Sequence, residues 1–226
     1  TVSGNTFSGN TTDTRDVGNS SGGGIVTNTN TGKSYCSIQA AINDPLTDNG
    51  HIISASAGTY NEDIVINKSI TLKGTNAGKS CGSWTETPSV INASGTNTGI
   101  DVQVSGVTID GFEIMAPNAN TGITQFVGVS NLQIVNNKIH AVGLANGGNK
   151  YAVRILGTND VNASNITIED NCIYDVGLST PGYHAGGIAI IQSTATKTIS
   201  NLSIKRNNIQ NIRNGNQNNK YVWGIT

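Results

Sequence analysis

A nine-residue pattern, Asn-(Leu/Ile)-x-Ile-x-x-Asn-x-Ile, occurs three times, at residues 131–139, 165–173 and 201–209. The second Asn of each copy falls at Asn137, Asn171 and Asn207, so the pattern returns after 34 and then 36 residues. That is the scale of one repeat unit in a solenoid, where each unit buries its apolar face against its neighbours. Weaker copies come earlier in the chain. In residues 107–114 Phe112 takes the Asn position, and residues 69–74 form a still earlier copy. Residues 2–7 match the second half of the pattern, with Val2, Asn5 and Phe7 at its fixed positions.

Within each copy the apolar residues alternate, as in Leu132/Ile134 and Ile166/Ile168, which predicts strands with one face inward. Asn tolerates a tight left-handed bend, so the second Asn is expected to break the strand at a fixed point. Stacked coils would then align Asn137, Asn171 and Asn207 as a ladder of amides, each bonded to the one above and below. A third strand follows a variable loop in every coil, at residues 99–102, 122–125, 152–155, 187–190 and 224–226. Three strands per coil, over about five to six coils, predict an all-β parallel β-helix.

Only 12% of residues are charged and 5% aromatic, with 28 Gly and four Pro, a profile of short strands and turns. A net charge of −1 argues against nucleic acid or an anionic membrane as partner. No stretch approaches the roughly 18 apolar residues that span a bilayer, so no membrane insertion is expected. Without a starting Met or a signal-peptide pattern, the sequence reads as a mature chain or an excised fragment.

The N-terminal part differs. Residues 1–10 read as a strand segment, and residues 11–35, rich in Gly, Ser, Thr and Asn, as a linker. Residues 37–42 are the best helix candidate, and residues 36–44 are assigned as the cap that a solenoid's open end needs. Residues 36–226 form the β-helix.

The segment Ser37-Ile-Gln-Ala-Ala-Ile-Asn43, followed by residues 57–66 and 69–74, resembles the start of proteins of the pectin-lyase-like superfamily. The resemblance covers roughly residues 33–226. It implies a right-handed, single-stranded parallel β-helix. It leaves activity open, since the superfamily holds lyases, hydrolases, esterases and non-catalytic surface proteins.

In such a fold equivalent residues of adjacent coils lie about 4.8 Å apart. Alignment on the Asn position places Lys73 beside Asp110, Glu113 beside Lys138, Glu169 beside Lys205 and Asp170 beside Arg206. All four are opposite-charge pairs, the arrangement that avoids stacking like charges. They account for much of the carboxylate content without invoking a metal.

The resemblance points to the face of the third strand as the working surface. Its outward row is Asp101, Thr124, Arg154 and Ala189, with Gln103, Phe126, Leu156 and Ile191 in the next row. Asp101 and Arg154 are the charged catalytic candidates there, two rungs and about 10 Å apart. The paired-Asp motifs of pectin methylesterases are missing. A lyase of this superfamily would use calcium; otherwise no cofactor is implied. No spacing of His and Cys suggests zinc.

Phe126, Tyr183, His184 and Trp223 fall on or beside the same face, where their rings are candidates for stacking on carbohydrate or for packing loops onto the coils. Of the three cysteines, Cys36 and Cys81 are expected to form a disulfide, consistent with an oxidising extracellular setting.

Residues 221–226 match the first strand of a new coil, and residues 1–7 match the rest of one. Val2, Asn5 and Phe7 of one copy would then meet Trp223 and Ile225 of another, a head-to-tail strand complementation that generates filaments. Tandem modules in a longer protein are the other reading. The expectation is an extracellular or cell-surface structural protein, an adhesin or filament subunit, whose partners are its own copies. A polysaccharide lyase or hydrolase acting through Asp101 and Arg154, or a sugar-binding module, is the alternative.

Overall fold

The computed structural model describes residues 24–125, 128–144, 147–157, 162–177, 183–192, 198–214 and 221–226. Its strands form three sheets of 8, 6 and 6 members. From Ile52–Ala55 onward, consecutive strands visit the first, second and third sheet in turn, and each pairs in parallel with the equivalent strand one coil later. The chain is therefore a parallel β-solenoid with three strands per coil and very little helix.

The core is a set of aliphatic rows running along the axis. In the first sheet Ile53, Leu72, Ile109, Ile134, Ile168 and Ile204 lie in register. In the third, Ile64, Ile100, Ile123, Val153, Ile188 and Ile225 do the same. Each fully buried aliphatic side chain contributes about 1.5–3 kcal/mol. Gln125 interrupts one inward row: it is buried, its Oε1 accepts from Leu156 N at 3.0 Å, and its Nε2 has no partner.

Asn137, Asn171 and Asn207 form the ladder the pattern implies. Asn137 Nδ2 donates to Asn171 Oδ1 at 3.1 Å, and Asn171 Nδ2 donates to Asn207 Oδ1 at 2.9 Å. Phe112 continues the column upward, its backbone N donating to Asn137 Oδ1 at 2.9 Å. The bend, however, belongs to the residue before: Asn136, Asp170 and Arg206 have φ of 59, 58 and 54°. The ladder Asn is kept for its buried amide, while its neighbour takes the left-handed conformation. A second, exposed ladder joins Asn131, Asn165 and Asn201, themselves left-handed.

The helix Ile38–Asn43 is capped by Ser37, whose Oγ accepts from Ala40 N at 3.1 Å. Ile38, Ala41 and Ile42 are buried in the core cluster. Glu62 accepts from Ile38 N and Gln39 N, and burial raises its carboxyl above the ordinary range.

The linker and the disulfide expectations are corrected as well. Within the supposed linker 11–35, Val26–Asn28 and Lys33–Tyr35 form an antiparallel hairpin whose first strand also pairs antiparallel with Ile52–Ala55. Its polar composition hides it, because buried Asn28 gains its stability from hydrogen bonds to Thr47 and His51, not from apolar alternation. Residues 1–23, with the segment 1–10 and Val2, Asn5 and Phe7, lie outside the described residues.

The disulfide is Cys81–Cys172, across 91 residues, and Cys36 is free. Residues 74–88, between a first-sheet and a second-sheet strand, run as a strap along the edge joining those sheets. Gly74 N and Gly78 N bond to Asp110, Trp84 lies under the Lys138 ammonium at 4.4 Å, and Cys81 N reaches Asp170 O. The strap thus travels away from the cap, which is why Cys81 meets Cys172 and not Cys36. At Gly111 any side chain would strike it: a Cβ there falls 2.1 Å from Ala77 N.

Candidate functional site

The outward row of the third sheet is Val65, Asp101, Thr124, Arg154 and Ala189, in register as expected. Asp101 and Arg154 are separated by Thr124 and are not brought together. Gln103 Nε2 donates to Asp101 Oδ2 at 2.8 Å, whereas the buried Asp101 Oδ1 has no hydrogen-bond partner. Arg154 folds back over its neighbours, with Nε 3.4 Å from Thr124 Oγ1 and its guanidinium 5.9 Å from the centre of the Tyr151 ring. Burial lowers its pKa from the ordinary value. Thr124 is consequently buried although it points outward.

The aromatic candidates fare differently. Phe126 lies outside the described residues. His184 and Trp223 come together, stacked with ring centres 5.2 Å apart. Tyr221, not anticipated from the sequence, completes the group at 5.6 Å from each. Tyr221 is 62% exposed. The sandwich is held from its backbone: Tyr221 N donates to His184 Nδ1, and His184 N to Asn149 Oδ1. Tyr183 lies instead against Gly147.

Two residues before the row of Val153, Ile188 and Ile225, Tyr151, Gly186 and Trp223 are in register. A Cβ on Gly186 would stand 3.2 Å from the Tyr151 ring and 3.9 Å from the Trp223 ring. Tyr151 and Gly186 are buried, so of this row Trp223 alone is partly exposed, beside His184 and Tyr221. Counting the register back two residues from Val153 to Tyr151, and from Ile225 to Trp223, would have found this row in the sequence. Nothing comparable announces Tyr221.

Beneath the cluster Lys150 is buried. Its Nζ donates to Asn120 Oδ1 at 2.6 Å and to Gly147 O at 3.1 Å, and its backbone N donates to His184 O. Burial lowers its pKa. The lysine pins the loops that carry the rings. Among the described residues no group of three or more His, Cys, Asp or Glu is placed to hold a metal.

The charge pairs expected from register are in register, but only Asp170 and Arg206 close directly, through two bonds of 2.8 and 2.7 Å. Glu169, opposite Lys205, turns to Arg206 and Ser203. Glu113, opposite Lys138, bonds His140 at 2.9 Å, and the His140 ring stacks on Tyr174. Asp110, opposite Lys73, accepts from Gly78 N and Asn136 Nδ2.

The chain is 38% identical over 95 residues to a cell surface glycoprotein of Methanothermus fervidus. The match covers 42% of this chain and 14% of that protein, so the chain spans only a small part of the relative's length. No family model matches the chain, and no solved structure matches it significantly.

Proposed function

We propose that this chain is a rigid β-helical part of an extracellular cell-surface protein. The observation that carries the reading is the 38% identity to a cell surface glycoprotein. The continuous aliphatic rows, the buried amide ladder and the disulfide strap support it, since together they stiffen the coils along one axis. A disulfide also suits an oxidising compartment. The reading is tested by a membrane-impermeant amine label applied to intact cells of the source organism. Labelled chain is expected; labelling only after lysis would sink the reading.

Head-to-tail assembly belongs to the same proposal. Electron microscopy of the chain, beside a variant lacking residues 1–10, tests this: filaments lost on truncation support it, and single particles in both preparations refute it.

A second reading rests on the ring cluster. Trp223, His184 and Tyr221 offer flat apolar faces with polar edges, the chemistry that packs against the C–H faces of sugars. In this reading the surface protein contacts glycans through the third sheet.

A further inference from the structure

The sequence holds seven Asn-x-Ser/Thr triplets, the acceptor pattern for N-glycosylation, and the structure separates them by what their amides are doing. Two fall within residues 1–23, outside the described residues. Asn92 is half-buried on a strand and its Nδ2 donates to Asn61 Oδ1 at 2.8 Å. Asn165 and Asn201 donate along the outer ladder at 3.0 and 2.9 Å. Sugars on adjacent positions of that ladder would crowd, since successive coils are only about 4.8 Å apart.

Asn67 and Asn162 remain. Both are exposed and lie outside the strands, and neither Nδ2 donates to any described residue. Asn67 has Ser69 two residues on, just after strand Ile64–Ile66. Asn162 has Ser164, and its Oδ1 accepts from Thr198 N, a bond that a substituent on Nδ2 leaves intact. The two asparagines share one edge of the solenoid, where the third sheet passes to the first, three coils and about 14 Å apart. The strap occupies a second edge, and the aromatic cluster lies at the start of the third-sheet strands, on the remaining one.

We infer that Asn67 and Asn162 carry N-linked glycans. The inference rests on the extracellular placement proposed above. The donor would be an oligosaccharide joined through its anomeric carbon to a lipid-borne phosphate. The amide Nδ2 attacks that carbon, the C–N bond forms as the C–O bond to phosphate breaks, and one amide proton is lost while the lipid phosphate leaves. Glycans there would sheathe one edge while leaving the ring cluster open.

The test is glycopeptide mass spectrometry on the chain isolated from its own cells, with the intact-cell label read on the same sample. Glycan mass on the peptides bearing Asn67 and Asn162 is expected, with Asn92, Asn165 and Asn201 unmodified. Asn67→Gln should remove the first glycan; Ser69→Thr, which retains the acceptor pattern, should keep it. Surface-labelled chain with both asparagines bare would overturn the inference and leave the surface reading standing. Chain that is both unlabelled from outside and bare would overturn the two together.

Discussion

Asn137 donates from its side-chain amide to Asn171, 3.1 Å away in space and 34 residues later in the chain. Asn171 also accepts from the Asn137 backbone N, and its own Nδ2 donates to Ile134 O and Asn207 Oδ1. One fully buried side chain thus satisfies backbone groups of more than one coil.

Asn171→Ala should therefore cost about 3 kcal/mol, because buried donors and acceptors on both sides lose their partners. Asn207→Ala should cost less, since Asn207 is only partly buried and water reaches the groups it leaves. Urea denaturation followed by circular dichroism measures both; equal midpoints for Asn171→Ala and the unaltered protein would show that the ladder adds nothing.

The Cys81–Cys172 bond closes a loop of 91 residues. In the chain-entropy account such a closure restricts the unfolded state by about 4–5 kcal/mol. Cys81→Ser should lower the denaturation midpoint accordingly, and Cys36→Ser should leave it nearly unchanged. Thiol labelling of the denatured, unreduced chain should find one reactive cysteine, Cys36. Labelling at Cys81 would contradict the strap.

Glu113 is held below the ordinary glutamate value of 4.5, first by its hydrogen bond from His140, against the opposing effect of burial. A depressed folded pKa means that its contribution is fully present above about pH 4.5 and is lost as pH falls through the folded value. Glu113→Gln should lower stability at neutral pH and flatten the acid side of the profile, the two proteins converging as pH falls through the folded value. Thermal melts between pH 7 and pH 3 report this; parallel profiles for the two proteins would show that the pair is without consequence.

The ring cluster predicts a binding signal. Trp84 and Trp223 are the two tryptophans, so Trp84→Phe isolates the fluorescence of Trp223. Titration with a panel of neutral and acidic polysaccharides should shift its emission, and Tyr221→Ala should weaken binding about tenfold, equivalent to about 1.4 kcal/mol. An unresponsive Trp223 across the panel would return the rings to a packing role.

The fold was largely legible because a parallel solenoid writes its register into the repeat. Aligning the Asn positions placed Ile134 on Ile168 and Asp101 two rows from Arg154, and the structure has them so. The hairpin at Val26–Asn28 and Lys33–Tyr35 was missed because its strands are short and one of its buried residues is Asn28, whose partners are distant in sequence. The candidate site was legible only in part. His184 and Trp223 could be named, but not that Tyr221 would stack against both.

By itself the sequence determined what repeats: the coil length, the inward rows and the amide ladder, all consequences of placing like residues one above another. Only the tertiary structure decided what lies outside the repeat. The path of the strap chose Cys172 over Cys36 as the partner of Cys81. Side-chain reach turned Glu113 to His140 and Glu169 to Arg206 although register set each opposite a lysine. Strand register constrains the backbone to fixed spacings, whereas loops and long polar side chains choose among several neighbours within reach. That choice is made only once the coils are stacked.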